Sequence, residues 1–482
     1  MSEQTEKQAG KHQKIHTVEL GENIDGFHVD ELIHESFTNM LYGVSHPDHD
    51  APMVMKVPKL GVFLPPSAYA GFETEVRILS RLHGVYTPRV IATGDLSSCP
   101  YLVTEYIEGD ELVQATKNAP VAVDRLCDIM VPVCKAVHEL HRHNLIHLDI
   151  KPGNIRNRKE GQVVILDFGV AHHTRMPDMY ENPHEDVPHT LDYVAPEQLH
   201  NVRTESRSDV YALGVILYVL ATGHFPFGKA NPITVKKRLF MPPTPPRVHN
   251  ESLPPWLQEI ILKCLARRPD DRFDTAKQIA YALSHPNMVS LGKNAQLICK
   301  PGFLKIAQAW LSSRRDRYNQ GQLVHPHDRI AQTPHILVAV DFGHTTEELK
   351  QAILAAVRRY AESDKNSFFT VLTVVESNEF NDTEDVSELL GQACPTNIHR
   401  LMELRHWMKP LKLPISRINC QVIKGDAGEE IVSYAKYHVV DHIVIGARAS
   451  SVMRRFIGSV SSKVVAEVNC TVTVVRSRQD RY

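Results

Sequence analysis

Several features that would assign this 482-residue sequence to a specialised class of protein are missing from it. Its eight cysteines are scattered, without a Cys-x-x-Cys pair, so neither a disulfide scaffold nor a zinc ribbon is indicated. The longest apolar run, Val210 to Thr222, is shorter than the ~20 residues that cross a bilayer, and the polar first residues are unlike a signal peptide. The net charge is only -2, which leaves no electrostatic signature of binding to nucleic acid or to an acidic membrane. We therefore expect a cytoplasmic protein with no nucleic acid and no membrane among its partners.

The composition is that of a folded protein with more than one domain. Hydrophobic residues make up 43% and charged residues 23% of the chain, close to the values of ordinary globular proteins. At about 100 to 200 residues per domain, the length predicts two to four domains. From changes of pattern along the chain we predict a flexible tail at 1–21, a first domain at 22–287, a linker at 288–333 and a last domain at 334–478.

The predicted linker contains one amphipathic stretch, Phe303 to Leu311, whose apolar residues share one face of a helix. That face needs a partner. We favour a helix docked on a flanking domain over a helix lying on a membrane surface, which the arginines that follow it (Arg314, Arg315 and Arg317) would suggest.

Apolar runs alternate with amphipathic helical stretches in the last domain. This order predicts an α/β fold with a doubly wound parallel sheet. Thr345 and Glu348 have the spacing of a capping box, so a helix is expected to begin there. The apolar runs are Ile336–Val340, Phe368–Val375, Ile418–Ile423, Ile443–Ile445 and Val472–Val475.

Three motifs follow one another in the first domain: HLDIKPGN at 147–154, DFG at 167–169 and APE at 195–197. Upstream of them, a strand-like segment ends in VMK at 54–56. In this order and spacing the motifs resemble those of protein kinases. The resemblance implies an α+β bilobal kinase fold and phosphoryl transfer from ATP with Mg2+. It also implies that Asp209 braces the catalytic loop and that Arg272 pairs with Glu197.

The resemblance assigns roles to six side chains around ATP. Phosphoryl transfer depends on positioning and on neutralising the charge of the phosphates, which explains why charged and amide residues recur. Lys56 would contact the phosphates and Glu75 would orient it, while Asn154 and Asp167 would hold Mg2+. Asp149 would accept the proton of the attacking hydroxyl. Lys151 would steady the transferred phosphate, and a lysine at this place is typical of kinases whose protein substrates react at Ser or Thr.

The remaining ATP contacts implied by the resemblance are apolar or come from the backbone. Ile33, Leu41 and Val54 match the positions around the phosphate-binding loop and the lysine strand. The segment TEYIE at 104–108 falls at the hinge, where the backbone groups of Glu105 and Ile107 would bind adenine.

The sequence departs from the kinase pattern at three places, one of which is Arg156, where the family usually has an apolar residue beneath adenine. His34, Ser36 and Asn39 stand where the phosphate-binding loop of kinases has glycines, so weaker or altered ATP binding is expected. Leu148 replaces the arginine that pairs with a phosphorylated activation segment, which suggests that the segment from Gly169 to Leu191 does not need phosphorylation to become ordered. The alternative function is a pseudokinase scaffold, although the residues required for catalysis are all present.

Four histidines, His138, His141, His143 and His147, lie within ten residues of each other. A metal site or a pH switch is one interpretation. The kinase resemblance gives another, in which the cluster is the C-terminal end of the long helix that leads into the catalytic loop, where positive charge is favourable.

The last domain resembles the universal stress protein family. The matching segments are VAVD at 338–341, GARA at 446–449 and Gly458-Ser459. The resemblance implies that Asp341 meets the base and ribose of a nucleotide, and that Gly446, Gly458 and Ser459 surround its phosphates at a helix N-terminus. Ala449 departs from the family's second glycine. The alternative is that Gly446 and Gly458 are turn residues of a domain that serves sensing or a homodimer.

Overall fold

The computed structural model describes residues 18–59, 66–82, 86–109, 111–158, 161–176, 178, 191–299, 333–375, 396–447 and 458–476. The predicted helix at 303–311 lies outside these ranges. The chain divides into two compact units. The first unit contains residues 1–69, 90–106 and 334–482, and the second contains 70–89 and 107–333.

The first unit begins with a six-stranded antiparallel sheet in the order β1-β2-β3-β4-β6-β5. In β4, Met53, Met55 and Val57 are buried and alternate with more exposed residues, as expected of a strand with one covered face. The strand-like segment predicted to end at 54–56 lies within β4. The strands are β1 (Asn23–Ile24), β2 (Phe27–Glu35), β3 (Asn39–His46), β4 (His49–Pro58), β5 (Val90–Thr93) and β6 (Leu102–Glu105).

Helices dominate the second unit. Helix α3 buries Leu126, Met130, Val133 and Val137, which are spaced three or four residues apart and form one apolar face. The helices are α1 (Pro66–Leu79), which begins in the first unit, α2 (Glu111–Lys117), α3 (Val123–Arg142), α4 (Arg207–Thr222), α5 (Pro232–Lys237), α6 (Pro255–Cys264) and α7 (Ala276–Ser284).

The longest apolar run of the sequence forms most of helix α4. From Ser208 to Thr222 every residue of this helix is buried, which is typical of the central helix of a domain. The helix ends at Gly223, whose φ of 74° lies in the left-handed region and whose backbone N–H donates to the carbonyl of Val219. Within the described ranges, no helix combines the length and the apolar character needed to cross a membrane.

Two short antiparallel ladders complete the second unit. The first joins β7 (Leu145–Ile146) to β10 (His172–His173), and the second joins β8 (Ile155–Asn157) to β9 (Val163–Ile165). The segments that connect these strands contain the predicted catalytic loop and the predicted metal-binding turn. The ladders therefore bring two distant parts of the sequence together.

The C-terminal part of the first unit is a five-stranded parallel sheet in the order β13-β12-β11-β14-β15. Helices α8 and α9 pack on one face, with Ile353 and Trp407 in that core. Helices α10 and α11 pack on the other, with Ile431 and Val464. The elements are β11 (His335–Ala339), α8 (Glu347–Ser363), β12 (Phe368–Val375), α9 (Thr396–Met408), β13 (Ile418–Lys424), α10 (Ala427–Tyr437), β14 (His442–Gly446), α11 (Ser459–Glu467) and β15 (Thr471–Val475).

The predicted doubly wound parallel sheet is confirmed, and its five predicted strands are all present. The expected capping box was wrong by one residue, because the N-cap of α8 is Thr346, whose side chain accepts from the N–H of Leu349. Thr345 instead donates its backbone N–H to the carbonyl of Asp341, in the turn that precedes the helix.

Candidate active site

The predicted catalytic loop lies between β7 and β8, and the predicted metal-binding turn lies between β9 and β10. Because β8 pairs with β9 and β7 with β10, the loop and the turn run alongside each other. The backbone N–H of Leu166 donates to the carbonyl of Asn154 at 2.8 Å, which joins the two directly. The structure thus brings Asp149, Lys151, Asn154 and the Asp167 turn into one neighbourhood.

The carboxylate of Asp149 is the centre of this neighbourhood. Its Oδ2 accepts from Lys151 Nζ at 2.5 Å and from the side-chain amide of Asn154 at 3.1 Å. The same amide donates to the Asp149 carbonyl at 3.0 Å. Only 10% of the Asp149 side chain is exposed, so these hydrogen bonds define its orientation.

Asp209 holds the catalytic loop in place, as the kinase resemblance implied. The carboxylate is fully buried on α4 and accepts from the backbone N–H of His147 at 2.9 Å and of Leu148 at 2.8 Å. His141 Nε2 lies 2.8 Å from the same carboxylate. Burial alone would raise the pKa of Asp209, but the contacts with His141 and His147 outweigh burial and lower it. The brace is therefore ionised.

Leu148 has a strained backbone, with φ at 64° in the left-handed region that a leucine rarely adopts. Its N–H is held by Asp209, and its carbonyl accepts from the side-chain amide of Gln198 at 2.9 Å. Such strain persists only where the surroundings hold the backbone in place, and it is concentrated at functional sites. Sequence reasoning did not identify Gln198, because its residue type alone carries no signal of this bond.

The metal-binding turn is fixed in a similar way. Asp167 has φ at 62°, a second left-handed residue that is not glycine. His147 Nε2 lies 3.0 Å from the carbonyl of Leu166, and the His147 ring packs edge-on against Phe168, with the ring centres 5.1 Å apart. Both His147 and Phe168 are fully buried. The turn is therefore packed against the catalytic loop.

The donor atoms at this place suit Mg2+. Both hydrogen bonds from the Asn154 side chain to Asp149 use its amide nitrogen, so its carbonyl oxygen is oriented elsewhere. With the Asp167 carboxylate it would supply hard oxygen ligands, and Mg2+ usually takes only one or two such groups from a protein when it also binds phosphate. The described residues contain no cluster of three or more His, Cys, Asp or Glu side chains of the kind that holds a metal by itself.

Three of the four clustered histidines, His141, His143 and His147, have separate partners. His141 contacts Asp209 and His147 contacts the Leu166 carbonyl, as described above. His143 Nδ1 lies 2.9 Å from the carbonyl of Glu139, at the end of α3. His143 and His141 thus lie at the C-terminal end of the helix, as the kinase resemblance implied.

A buried cluster that the sequence did not reveal orders part of the activation segment. Asp178 is paired with Arg203 Nε, and His172 Nδ1 lies 3.4 Å from the same carboxylate. Arg203 also donates to the carbonyl of Val170 at 2.8 Å. Burial opposes ionisation of Asp178, but Arg203 and His172 outweigh burial and lower the pKa of this carboxyl. A permanent negative charge therefore ties the segment to the residues that follow it.

A second buried ion pair joins the predicted Glu197 and Arg272. The guanidinium donates to both carboxylate oxygens, at 2.6 and 2.7 Å, and both side chains are completely buried. Ser208 Oγ also donates to Glu197 at 2.6 Å. Bidentate pairs of this kind are directional as well as strong, so the end of the activation segment is firmly attached to the helical core.

The predicted ATP residues of the first unit lie on its antiparallel sheet. Leu41 on β3 pairs with Lys56 on β4, and Lys56 pairs with Leu102 on β6. Ile33 and Val54 lie on β2 and β4, and Glu105 ends β6. In the second unit, Glu75 is on α1, where its side chain is buried, and Ile107 follows the last strand of the sheet.

The loop between β2 and β3 is closed by a side chain. Ser36 Oγ accepts from the N–H of Asn39 at 2.9 Å and donates to its carbonyl at 3.0 Å. His34 lies on β2, and Phe37 at the tip is 72% exposed. The segment that replaces the glycine-rich loop is therefore a tight hairpin.

The predicted nucleotide residues of the last domain lie along the carboxyl edge of its sheet. Asp341 follows β11 and accepts from the N–H of Gly343 at 3.0 Å and of His344 at 3.1 Å. Gly446 ends the neighbouring strand β14, and Gly458 is the N-cap of α11, which begins at Ser459. Ala449 lies outside the described residues.

Gly446 also has a packing role. A Cβ at this position would lie 3.1 Å from the side chains of Leu349 and Ile353 on α8. Glycine at 446 thus allows close approach of the helix to the strand.

Comparison with known proteins identifies two domain families in the chain. Residues 41–287, more than half of the chain, match the protein kinase domain family, and residues 333–476 match the universal stress protein family. The serine/threonine-protein kinase PknB of Mycolicibacterium smegmatis is 32% identical over 233 residues, which cover 47% of this chain and 37% of that protein. PknB of Mycobacterium tuberculosis is 30% identical over 233 residues, which cover 47% of this chain and 37% of that protein. The solved PknI kinase domain of Mycobacterium tuberculosis matches with 21% identity and a TM-score of 0.44, over 56% of this chain and 99% of that one.

The chain spans little more than a third of the length of these curated relatives. The motifs that the structure assembles around Asp149 lie within the matched region. The chain belongs to the protein kinase family and carries a universal stress protein domain at residues 333–476.

Proposed function

We propose that the chain is a cytoplasmic serine/threonine protein kinase, which transfers the terminal phosphoryl group of ATP to protein hydroxyls, its own included. The observation that carries the proposal is the Asp149 carboxylate, oriented by Lys151 and Asn154 on a loop that Asp209 braces. The scattered cysteines and the balanced charge support the location. The described residues include seven of the eight cysteines, and these seven are free thiols.

Asp149 is the proposed catalytic base. Its carboxylate is held in one orientation, so that a substrate hydroxyl bound beside it would be aligned. The hydroxyl would lose its proton to Oδ2 as its oxygen bonds the terminal phosphorus and the bond from that phosphorus to the ADP oxygen breaks. Lys151, which already contacts that oxygen, would place its positive charge beside the phosphoryl group during transfer.

Lys56 and Glu75 are proposed to position the nucleotide, with Lys56 on the phosphates and Glu75 orienting Lys56. Ile33, Leu41 and Val54 would contact the nucleotide through apolar side chains, and Glu105 and Ile107 through the backbone. Asn154 and Asp167 would hold Mg2+, which when bound neutralises charge on the phosphate oxygens. The closed hairpin at Ser36 offers fewer free backbone groups to phosphate than a glycine-rich loop, which favours modest ATP affinity.

The universal stress protein domain is proposed to regulate or assemble the kinase. Asp341, Gly446, Gly458 and Ser459 are the candidate nucleotide residues there, and a homodimer through this domain is a further proposal. The pseudokinase alternative is not favoured, since the residues that the family needs for transfer are retained.

The test is a transfer assay with purified full-length protein, Mg2+ and labelled ATP, using self-phosphorylation and a generic basic protein as acceptors. We expect incorporation by the wild type and a loss of about a thousandfold or more in Asp149→Asn and Lys56→Met. Asp50→Asn, at an exposed position of β4, is the matched control and should retain wild-type activity. Equal incorporation by the wild type and both site variants would indicate a contaminating kinase and would refute the proposal.

A further inference from the structure

Within the first unit, the universal stress protein domain contacts the region around the antiparallel sheet. Helix α9 of the universal stress protein domain, with Lys409 just after it, meets the loop between β5 and β6 and the first turns of α1. The partners on the kinase side are Tyr69, Asp95 and Leu96. We call this contact the α9 dock.

Arg405 is the central residue of the α9 dock. Its Nη1 donates to the Tyr69 hydroxyl at 2.6 Å and to the Leu96 carbonyl at 3.1 Å. The Tyr69 hydroxyl donates to the same carbonyl at 3.1 Å, which closes a triangle of hydrogen bonds. The guanidinium carbon lies 4.5 Å from the centre of the Tyr69 ring, a cation–π contact.

The residues at the centre of the α9 dock are buried. Arg405 is 8%, Tyr69 4% and Leu96 8% exposed. A buried guanidinium is costly unless its N–H groups are bonded, so it marks a place where the two surfaces fit each other. A surface contact without complementary shape would leave this arginine in water.

The receiving loop is held in shape by its own hydrogen bonds. Asp95 accepts from the N–H of Ser97 at 2.9 Å, and its carbonyl accepts from the N–H groups of Ser98 and Cys99. A Cβ on Gly94 would lie 2.3 Å from the Cys99 carbonyl oxygen, so only glycine fits there. A preformed loop loses little conformational freedom when a partner binds, which favours a stable dock.

Lys409 adds a second, weaker contact. Its ammonium bonds Asp95 Oδ2, and both side chains are more than two-fifths exposed. Burial opposes ionisation of Asp95, but the bonds from Lys409, Ser97 and Ser98 outweigh it and lower the pKa to about 2. Exposed pairs of this kind contribute little, so Arg405 should dominate the dock.

The position of Tyr69 connects the α9 dock to Glu75 of the proposed kinase site. Helix α1 runs from Pro66 to Leu79 and carries both Tyr69 and Glu75, less than two turns apart. We propose that the α9 dock is the surface through which the universal stress protein domain acts on the kinase, by holding the N-terminal part of α1 and thereby the position of Glu75. This inference rests on the proposed kinase function, in which Glu75 orients Lys56.

Helix α9 also contacts the candidate nucleotide loop of its own domain, which follows β11. Phe342, next to Asp341, packs edge-on against Trp407 with ring centres 5.7 Å apart. Trp407 lies between Arg405 and Lys409 in sequence. One helix therefore connects the loop after β11 to the dock, and this gives the dock a physical route to the candidate ligand site.

The test is amide hydrogen exchange on the full-length protein, followed by mass spectrometry of peptides that cover residues 94–99 and the first turns of α1. Arg405→Ala should raise exchange in both peptides about tenfold, because hydrogen bonds from a charged donor are strong enough to change an opening equilibrium by that factor. Lys409→Ala should have a smaller effect. Arg400→Ala is the matched control, because this arginine of α9 pairs with Glu403 on the same helix.

Tyr69→Phe is a second test of the dock, and it should not misfold because it removes one hydroxyl and keeps the ring. It should raise amide exchange in the same peptides. In the double variant with Arg405→Ala, the fold increase in exchange should be smaller than the product of the increases in the two single variants. Unchanged exchange in Arg405→Ala, or independent effects of the two substitutions, would overturn the dock.

Activity supplies the second readout. Arg405→Ala should lower kcat/KM for phosphoryl transfer several-fold relative to Arg400→Ala, with kcat affected more than the KM for the protein acceptor. Equal activity of these two variants, or higher activity of Arg405→Ala, would overturn the proposed action on α1. If wild type shows no Asp149-dependent transfer, the kinase proposal fails, while the exchange experiment still decides the dock.

Discussion

The catalytic loop and the carboxyl edge of the C-terminal sheet are held by different kinds of contact. In the loop, Asp209 bonds His147 and Leu148 from 62 and 61 residues away, and Gln198 bonds Leu148 from 50 residues away. At the edge, Asp341 bonds the N–H groups of Gly343 and His344, two and three residues away. The catalytic loop is braced by residues distant in sequence, whereas the Asp341 carboxylate bonds the turn that follows it.

This difference has consequences for function. A site held by buried, long-range partners has its geometry before a ligand arrives, as transition-state stabilisation requires. A site held by a turn can adjust to its ligand, and single substitutions there should disturb the fold little. The comparison therefore predicts large effects in the kinase domain and small effects at the sheet edge.

Arg272→Ala should have the largest effect. It would leave the Glu197 carboxylate buried without its bidentate partner, which costs about 3–5 kcal/mol of the free energy of unfolding. Chemical denaturation of the full-length protein would measure the change, with Arg268→Ala as control, because that side chain is 55% exposed. A loss below about 1 kcal/mol would contradict the view that this part of the protein depends on buried pairs.

Asp178→Asn should have the next largest effect. The amide keeps the shape but loses the charge that Arg203 and His172 contact, at a cost of about 2–3 kcal/mol at neutral pH. Turnover should fall as well, since the segment loses its anchor. Asp48→Asn, at a position 84% exposed, is the control.

The pH dependence gives a sharper check on Asp178. Because its pKa is lowered in the folded protein, its stabilisation is fully present above the ordinary carboxyl pKa of 3.8. Below that value the unfolded chain binds a proton that the folded state does not, so the stabilisation falls as the pH approaches the folded pKa. The difference in stability between wild type and Asp178→Asn should therefore narrow below about pH 4. A difference that stays constant would show that the charge is unimportant.

Much of the fold and of the kinase site could be predicted because the signals are local. The motif at 147–154 contains Asp149, Lys151 and Asn154 in one short segment of sequence. The strands of the last domain are continuous apolar runs. The contacts of Asp209 and Arg272 were accessible only through the family resemblance, since their partners are distant in sequence.

The unpredicted features depend on tertiary proximity or on competition between neighbours. Arg203 and Asp178 have no sequence pattern that pairs them, and neither have Arg405 and Tyr69, which are 336 residues apart. Thr345 was predicted as a helix cap, but its backbone completes the Asp341 turn, so Thr346 caps instead. Two adjacent threonines cannot be distinguished by a spacing rule alone.

Asp341→Asn should have the smallest effect on the fold. The amide oxygen can still accept from Gly343 and His344, so the free energy of unfolding should change by less than about 0.5 kcal/mol. Binding of AMP, measured by calorimetry on full-length Lys56→Met so that the kinase site contributes equally to both samples, should weaken about tenfold if the carboxylate meets the ribose.

Gly446→Ala separates the two interpretations of this edge. Its Cβ would press on Leu349 and Ile353, which are side-chain contacts that can shift, so the expected loss is about 1 kcal/mol. If Gly446 also lines the phosphate site, Gly446→Ala should lower the AMP affinity about as much as Asp341→Asn does. A loss of stability with unchanged AMP affinity would instead assign Gly446 to packing alone. The edge of the sheet would then hold the base and ribose end of a ligand through an adjustable turn, in contrast to the catalytic loop, where every anchoring contact is built in advance.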